Sequence, residues 1–361
     1  MITSTINKVK ISGITSAVPV NRVDNNSYSD IFGEETVKKT IESTGVETTY
    51  HSINGQIASD LAYVAAKNLI EKKKINTDEI GILLFVSSHH DYIAPATAFV
   101  LQKRLDIPSD SIVFDVNLGC SGFVYGLYIG ASLLQTSNST KALVLLGDSS
   151  SRVVSPKDTS RLLFGDSGAA FLIEKTDDAT EVMTFGLKSD GSRFEDIYIP
   201  AGGFRHMRGD FELHEEEDGR ERSDYHSHMK GTNVFAFSVT DVPRLVREFM
   251  NDNDLNPDSI DKLFMHQPNL YIIKNLLRKL KFPEDKVPLS ISKYGNTSGV
   301  SIPITMCDCY GGKEEGEKDV LFLGFGAGLS WGVSNIKIDT KNIYPIIHSD
   351  EYYTDGLMDE K

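Results

Sequence analysis

Three cysteines in 361 residues, Cys120, Cys307 and Cys309, are too few for a disulfide framework and match the usage of a chain kept in a reducing compartment. Basic residues are short as well. Only 37 Lys and Arg stand against 51 Asp and Glu, for a formal net charge of −14. That balance excludes a general binder of nucleic acid or anionic membrane, because phosphate surfaces select Lys and Arg. No apolar run approaches the ~18 residues of a spanning helix, and no basic start leads into an apolar stretch. Neither a membrane span nor a secretory signal is therefore legible, and a cytoplasmic protein is expected. A G-x-G-x-x-G loop is also missing, and no cofactor is expected. What remains is the composition of a globular α/β protein, 40% hydrophobic with 29 glycines, long enough to bury a substantial core.

The chain repeats itself. Ala58 to Phe85 lies over Ser238 to Met265 at a constant offset of 180. In the first copy an amphipathic helix (Leu61, Val64, Ala65, Leu69) runs into Ile75-Asn-Thr-Asp-Glu-Ile80 and the apolar strand Ile82 to Val86. The second copy has Val239, Leu245, Val246 and Phe249, then Leu255-Asn-Pro-Asp-Ser-Ile260, then a strand around Leu263 to Met265. Further on, Arg104 to Pro108 matches Lys279 to Pro283, Gly119-Cys-Ser-Gly122 falls opposite Gly295-Asn-Thr-Ser-Gly299, and Ala142 to Leu146 opposite Val320 to Leu323. Buried strands alternating with helices call for mostly parallel sheets covered on both faces, and two such units make a layered α/β/α/β/α body. The halves are expected at residues 1–180 and 181–340, followed by a polar, tyrosine-rich tail at 341–361. Gly202 to Lys230 breaks the pattern with dense charge, the run Glu215-Glu-Glu-Asp218 and four histidines, and reads as an insertion or lid. The spacing of His206, His214, His226 and His228 fits no usual ligand motif, so no metal is expected.

Cys120 follows a strand and a tight Gly turn and opens a helix running through Leu127 to Leu134. A thiol there meets free backbone N–H groups and the positive end of the helix dipole, which favour thiolate. His266 closes an apolar strand, where α/β folds hold ligands. Asn296 sits in a loop by composition, and Gly324-Phe-Gly-Ala-Gly328 offers amides that could hold an oxyanion. In the duplicated plan Cys120 and Asn296 occupy equivalent turns, so residues far apart in sequence can meet at one cleft.

Taken in order, these motifs resemble the β-ketoacyl-(acyl-carrier-protein) synthase III family of the thiolase superfamily, over roughly residues 8 to 336. They are Gly-Cys120-Ser-Gly-Phe, Leu163-Phe-Gly-Asp166, His266-Gln-Pro-Asn, Gly-Asn296-Thr-Ser and Gly324 to Gly332. The resemblance implies a duplicated thiolase-like five-layer fold and an acyltransferase. Cys120 would take an acyl group from a thioester, and His266 with Asn296 would hold a malonyl thioester as it loses CO₂. The amides of Cys120 and Ala327 would form the oxyanion hole. The second catalytic cysteine of degradative thiolases is missing, and Ser87-Ser88-His89 stands where hydroxymethylglutaryl-CoA synthases need a glutamate.

Departures from the family pattern point to a specialised member. Lys39 to Val46 lacks the Trp and Arg with which housekeeping members clamp the adenine of CoA, which speaks against ordinary CoA recognition; the resemblance as a whole implies an acyl-CoA or acyl carrier protein thioester as partner. Tyr271 replaces a basic docking residue, whereas Arg278 and Lys279 keep a basic pair for carrier docking. Ala94 replaces a bulky aromatic of the acyl pocket, and the family implies a homodimer in which the chain around Ala94 reaches the partner's site. An alternative reading is acyl transfer from Cys120 to an alcohol or amine, for example on a sugar. A catalytically dead scaffold is disfavoured, since Cys120, His266 and Asn296 are all present.

Overall fold

The structure is a computed structural model, and it describes residues 1–357 apart from 54 and 217. Glu217 of the acidic run and 358–361 of the tail thus lie outside the described residues. Eleven strands carry the two main sheets: β1 (Ile2–Asn7), β2 (Val9–Pro19), β3 (Ile80–Val86), β4 (Ile112–Val116), β5 (Lys141–Asp148), β6 (Ser167–Lys175), β7 (Val182–Ser189), β8 (Lys262–Met265), β9 (Glu317–Gly326), β10 (Ser330–Asp339) and β11 (Ile347–Ser349). Six principal helices cover them: α1 (Ala58–Lys73), α2 (Thr97–Arg104), α3 (Gly122–Thr136), α4 (Gly231–Asp252), α5 (Leu270–Leu280) and α6 (Ser301–Tyr310).

One sheet runs β11-β2-β6-β5-β3-β4 and the other β1-β7-β10-β9-β8. Within them the orders β2-β6-β5-β3 and β7-β10-β9-β8 are the same path traced twice. The local geometry repeats too. Lys74 and Asp254, 180 residues apart, both take left-handed φ (52° and 53°) just past α1 and α4. Asp106 and Lys281 do the same just past α2 and α5. Ile75 N–H donates to Ile70 O at 3.0 Å, and its counterpart Leu255 N–H to Met250 O at 2.8 Å.

The sheets are mixed, not mostly parallel. Only β5-β3-β4, β9-β8 and β11-β2 pair in parallel, while β6 and β10 return antiparallel to β5 and β9. Among the described residues the second half has no counterpart of β4, and the corresponding stretch 287–290 carries Pro288, which cannot donate to a ladder.

Strand β3 explains the layering. Its alternate residues Ile82, Leu84 and Val86 enter a central core, and Ile80, Leu83 and Phe85 enter an outer one beneath α1. Strand β8 does likewise, with Phe264 central and Leu263 and Met265 under α4 and α5. Helices α3 and α6 fill the central layer between the sheets, giving α/β/α/β/α. Gly126 and Gly130 let α3 lie close to the first sheet, since a Cβ there would come within 3.0 Å of Val86 and 2.8 Å of Ile173.

Two segments depart from a simple division into halves. Strand β1 belongs to the second sheet, paired with β7, and β11 from the tail belongs to the first, paired with β2. The tail is tied down beyond that strand. Gln56 Nε2 donates to the carbonyls of Ser349 and Glu351, Tyr353 N–H donates to Asp60 Oδ1 at 3.0 Å, and the Tyr92 hydroxyl donates to Asp355. The insertion is anchored by buried Arg222, which pairs with Asp158 at 2.9 Å and Asp218 at 3.1 Å.

Candidate active site

Cys120, His266 and Asn296 come together in a cavity of about 500 Å³, with Ser298, Gly326 and Ala327 beside them. Each arrives at the carboxyl end of a strand or the start of a helix. Cys120 lies between β4 and α3, His266 directly follows β8, and Asn296 lies in the loop before α6. The Asn296 backbone is clasped by the Leu163-Phe-Gly-Asp166 motif: its N–H donates to Leu163 O at 2.8 Å and its carbonyl accepts from Gly165 N–H at 3.1 Å.

The Ser298 hydroxyl lies 3.6 Å from Cys120 Sγ. The helix dipole alone would favour thiolate, but burial outweighs it and pushes the thiol up to about 11. The Asp148 carboxylate adds to that rise, and the Ser298 hydroxyl with the backbone amides of Cys120 and Ala327 acts against it.

Burial also lowers His266, to about 4, with partial opposition from the Ser298 carbonyl. The ring is thus a neutral imidazole near pH 7. Its Nδ1 lies 3.1 Å from Ser298 O and 2.9 Å from Ser301 Oγ. The carbonyl can only accept, and the Ser301 hydroxyl donates to that same carbonyl at 2.8 Å, so this arrangement places the ring proton on Nδ1 and leaves Nε2 as an acceptor. Gln267 braces the segment through Pro288 O and the Ser290 and Ile291 amides, and Asn269 caps α5 by accepting from Ile272 N–H at 2.8 Å. Asn296 Oδ1 accepts from Ser298 N–H at 2.9 Å, so the side chain's donors are the Nδ2 hydrogens.

The remaining expected residues lie elsewhere. Ala94 is exposed on the loop before α2 and outside its own chain's cavity. Arg278 and Lys279 are exposed on the last turn of α5, eight and nine residues beyond its start at Leu270. Among the described residues no group of three His, Cys, Asp or Glu side chains could hold a metal. His214 instead faces Asp210, and His228 faces Glu216. The insertion does reach the site, since Ser227 and Met229 line the cavity. Sequence reasoning missed Ser298 and Ser301 as neighbours of Cys120 and His266, although Ser298 stands within the Asn-Thr-Ser motif. It also missed His89 and Asp148 on the cavity wall.

Residues 114–191 match the family described as 3-oxoacyl-[acyl-carrier-protein (ACP)] synthase III, and residues 250–338 match its C-terminal part. The insertion falls in the interval between the two matches. A β-ketoacyl-[acyl-carrier-protein] synthase III of Clostridium perfringens (strain SM101 / Type A) is 30% identical over 333 residues, covering 91% of this chain and 99% of the relative. A putative 3-oxoacyl-[acyl-carrier-protein] synthase 3 of Campylobacter jejuni is 33% identical over 348 residues, covering 93% and 96%. Among solved structures, a 3-oxoacyl-(acyl-carrier protein) synthase from Burkholderia xenovorans LB400 superposes with a TM-score of 0.89 at 31% identity, covering 96% of this chain and 99% of that one. No helix among the described residues is long and apolar enough to cross a membrane. With coverage of that extent at that identity, and the thiolase-like five-layer fold, the chain is an acyl-transferring enzyme that belongs to the 3-oxoacyl-(acyl-carrier-protein) synthase III family.

Proposed function

We propose that the enzyme joins an acyl group held on Cys120 to a malonyl thioester with loss of CO₂. The observation that carries this reading is the meeting, in a single cavity, of one cysteine, one neutral histidine and one asparagine whose Nδ2 hydrogens have no partner among the described residues. In the first half-reaction Sγ attacks the thioester carbonyl, and the amides of Cys120 and Ala327 hold the tetrahedral oxyanion. Collapse breaks the bond to the carrier sulfur, which leaves with the thiol's proton. In the second, Asn296 Nδ2–H donates to the malonyl thioester carbonyl, joined by His266 Nε2–H once the ring takes its other tautomer with the Ser301 hydroxyl turned to donate to Nδ1. The bond to its carboxylate then breaks, CO₂ departs, and the electron pair becomes an enolate. The enolate carbon attacks the acyl-cysteine carbonyl, the S–C bond breaks, and the cysteine sulfur regains a proton.

Carrier docking is assigned to Arg278 and Lys279. Both are exposed, as are Lys274 on the same helix and Arg247 on α4, and among the described residues none of the four is in an ion pair. In a chain of net charge −14 such a cluster suits an acidic carrier. A homodimer through the first half is supported by β4, an edge strand whose residues Ile112 to Val116 are otherwise covered on one side only, and by exposed Ile93 and Phe99 nearby. Acyl transfer to an alcohol or amine is not favoured, because the relatives carry the condensing name.

The test is intact-protein mass measurement after exposure to acyl thioesters, followed by CO₂ release on adding a malonyl thioester. Wild type is expected to gain one acyl mass and then release CO₂, and Cys120→Ser to do neither. Wild-type loading in Cys120→Ser would overturn the assignment.

A further inference from the structure

Exposed large apolar side chains crowd into one stretch of the chain, on and just before the insertion. Phe194, Tyr198, Ile199, Phe204, Met207 and Phe211 all face solvent, Phe204 and Phe211 each at 77% exposure. Such crowding marks a surface that a partner covers. The stretch is also held in shape. Ala201 N–H donates to Asp224 O at 3.0 Å, Asp210 N–H to Asp224 Oδ2 at 2.8 Å and Gly209 N–H to the Tyr225 hydroxyl at 3.0 Å, so both ends of 201–210 are fastened to Asp224 and Tyr225. Residues 202–208 are thereby thrown out as a knuckle, closed by Gly202 N–H donating to His206 O at 2.9 Å and His206 N–H to Gly203 O at 3.1 Å.

Phe204 to His206 make a single 3₁₀ turn, and side chains three apart eclipse there, which puts Phe204 and Met207 on one face. Arg205 and Arg208 are exposed on the same knuckle. Among the described residues neither is in an ion pair, whereas Arg220, Arg222 and Lys230 of the insertion all are. The knuckle also stands near the cavity opening. Tyr198 and Ile199 both line the cavity and face solvent, and the five residues from Ile199 to Phe204 span at most ~18 Å even when fully extended.

We propose that the knuckle 202–208 is a docking surface for the acyl carrier protein that delivers the thioester, its acidic face meeting Arg205 and Arg208 and its apolar residues covering Phe204 and Met207. This contact is additional to the basic face of α5, and it rests on a carrier protein being a donor to this enzyme. Two unpaired cations beside an apolar pair are complementary to an acidic partner in a chain that otherwise carries excess negative charge. An anionic lipid surface fits worse. Asp210, Glu212 and Glu215, all exposed, follow the knuckle directly, and a flat surface laid on Phe204 would meet them, whereas a small globular partner need not. A two-fold contact between copies would set Arg205 and Arg208 against themselves.

The test uses two double variants, Phe204→Ser with Met207→Ser and Arg205→Glu with Arg208→Glu, at exposed positions where folding is little affected. Loading of Cys120 is followed by intact-protein mass with acetyl, butyryl and octanoyl groups on CoA and on an acyl carrier protein. Each variant should raise KM for carrier thioesters about tenfold, the cost of losing one good interface contact, with kcat and all CoA thioesters unchanged. Affinity for labelled, unacylated carrier protein, read by fluorescence anisotropy, should weaken by the same factor. Unchanged carrier affinity in both variants, or an equal rise in KM for CoA and carrier thioesters, overturns the docking surface. So does wild-type binding to phosphatidylglycerol vesicles, or self-association, that the Phe204→Ser, Met207→Ser variant loses while carrier affinity stays. Carrier binding that weakens as expected while no thioester loads the wild type would instead remove Cys120 as acceptor and leave the docking surface standing.

Discussion

Replacing Gly326 by alanine should cripple the cysteine without touching its chemistry. Gly326 ends β9, paired with Ser330 of β10, and its backbone is not in the left-handed region, so alanine is conformationally acceptable there. Space is the obstacle. A Cβ at 326 would lie 2.4 Å from Cys120 Cβ and 2.9 Å from Sγ. Carbons in ordinary contact stay ~3.5–4.0 Å apart, so the cysteine or the strand end must move by about 1 Å. A displacement of that size costs a reacting group on the order of 100-fold, and overpacking of this kind costs about 1–3 kcal/mol of stability. Acyl loading followed by intact-protein mass in a quenched time course reads the first quantity, and thermal unfolding reads the second. Gly191→Ala is the control, since nothing lies within 4 Å of the added methyl. In a Cys120→Gly background both clashing atoms are gone, and Gly326→Ala should then cost little stability. Loading of Gly326→Ala at the wild-type rate, or an equal defect in Gly191→Ala, would refute the reasoning.

His266→Ala and Asn296→Ala should retain most acyl loading but lose roughly 100- to 1000-fold in CO₂-releasing turnover, the usual cost of one oxyanion donor; equal losses in both steps would contradict the division of roles. Because burial holds the Cys120 thiol near 11, its alkylation by iodoacetamide should rise about tenfold per pH unit between roughly pH 7 and 10. A plateau below about pH 8 would show a thiolate already formed. Arg278→Glu with Lys279→Glu should raise KM for carrier-protein thioesters about tenfold and leave CoA thioesters unchanged, and an equal effect on both would remove the docking assignment.

How much of this was legible depended on whether the signal was local or spatial. The 180-residue offset foretold α1 and α4, β3 and β8, because buried strands and the turns before them need particular residues in a particular order. Cys120, His266 and Asn296 were legible for the same reason, each sitting within a motif at a strand end. The mixed character of the sheets was not, since an antiparallel return such as β5 to β6 and a parallel crossover read alike when both strands are wholly apolar. The weight of burial on Cys120 was hidden too, because the helix start is in the sequence and the cover over the sulfur is not. His89 lies just past the end of β3 and Asp148 ends the neighbouring parallel strand β5, 59 residues apart, and nothing in either local context names the other.

The exchange of end strands has a consequence for how the chain can be divided. Residues 2–7 complete the sheet of the second half, and residues 347–349 complete that of the first. A cut near residue 180 therefore yields no pair of autonomous pieces, since each fragment would carry an edge strand whose only partner among the described residues is in the other. The ancestral copies have been sewn together at both ends, so duplication survives in the architecture but not as separable folding units. Unfolding should accordingly be a single cooperative event, and a catalytic cleft composed from both halves keeps its geometry because neither half can loosen alone.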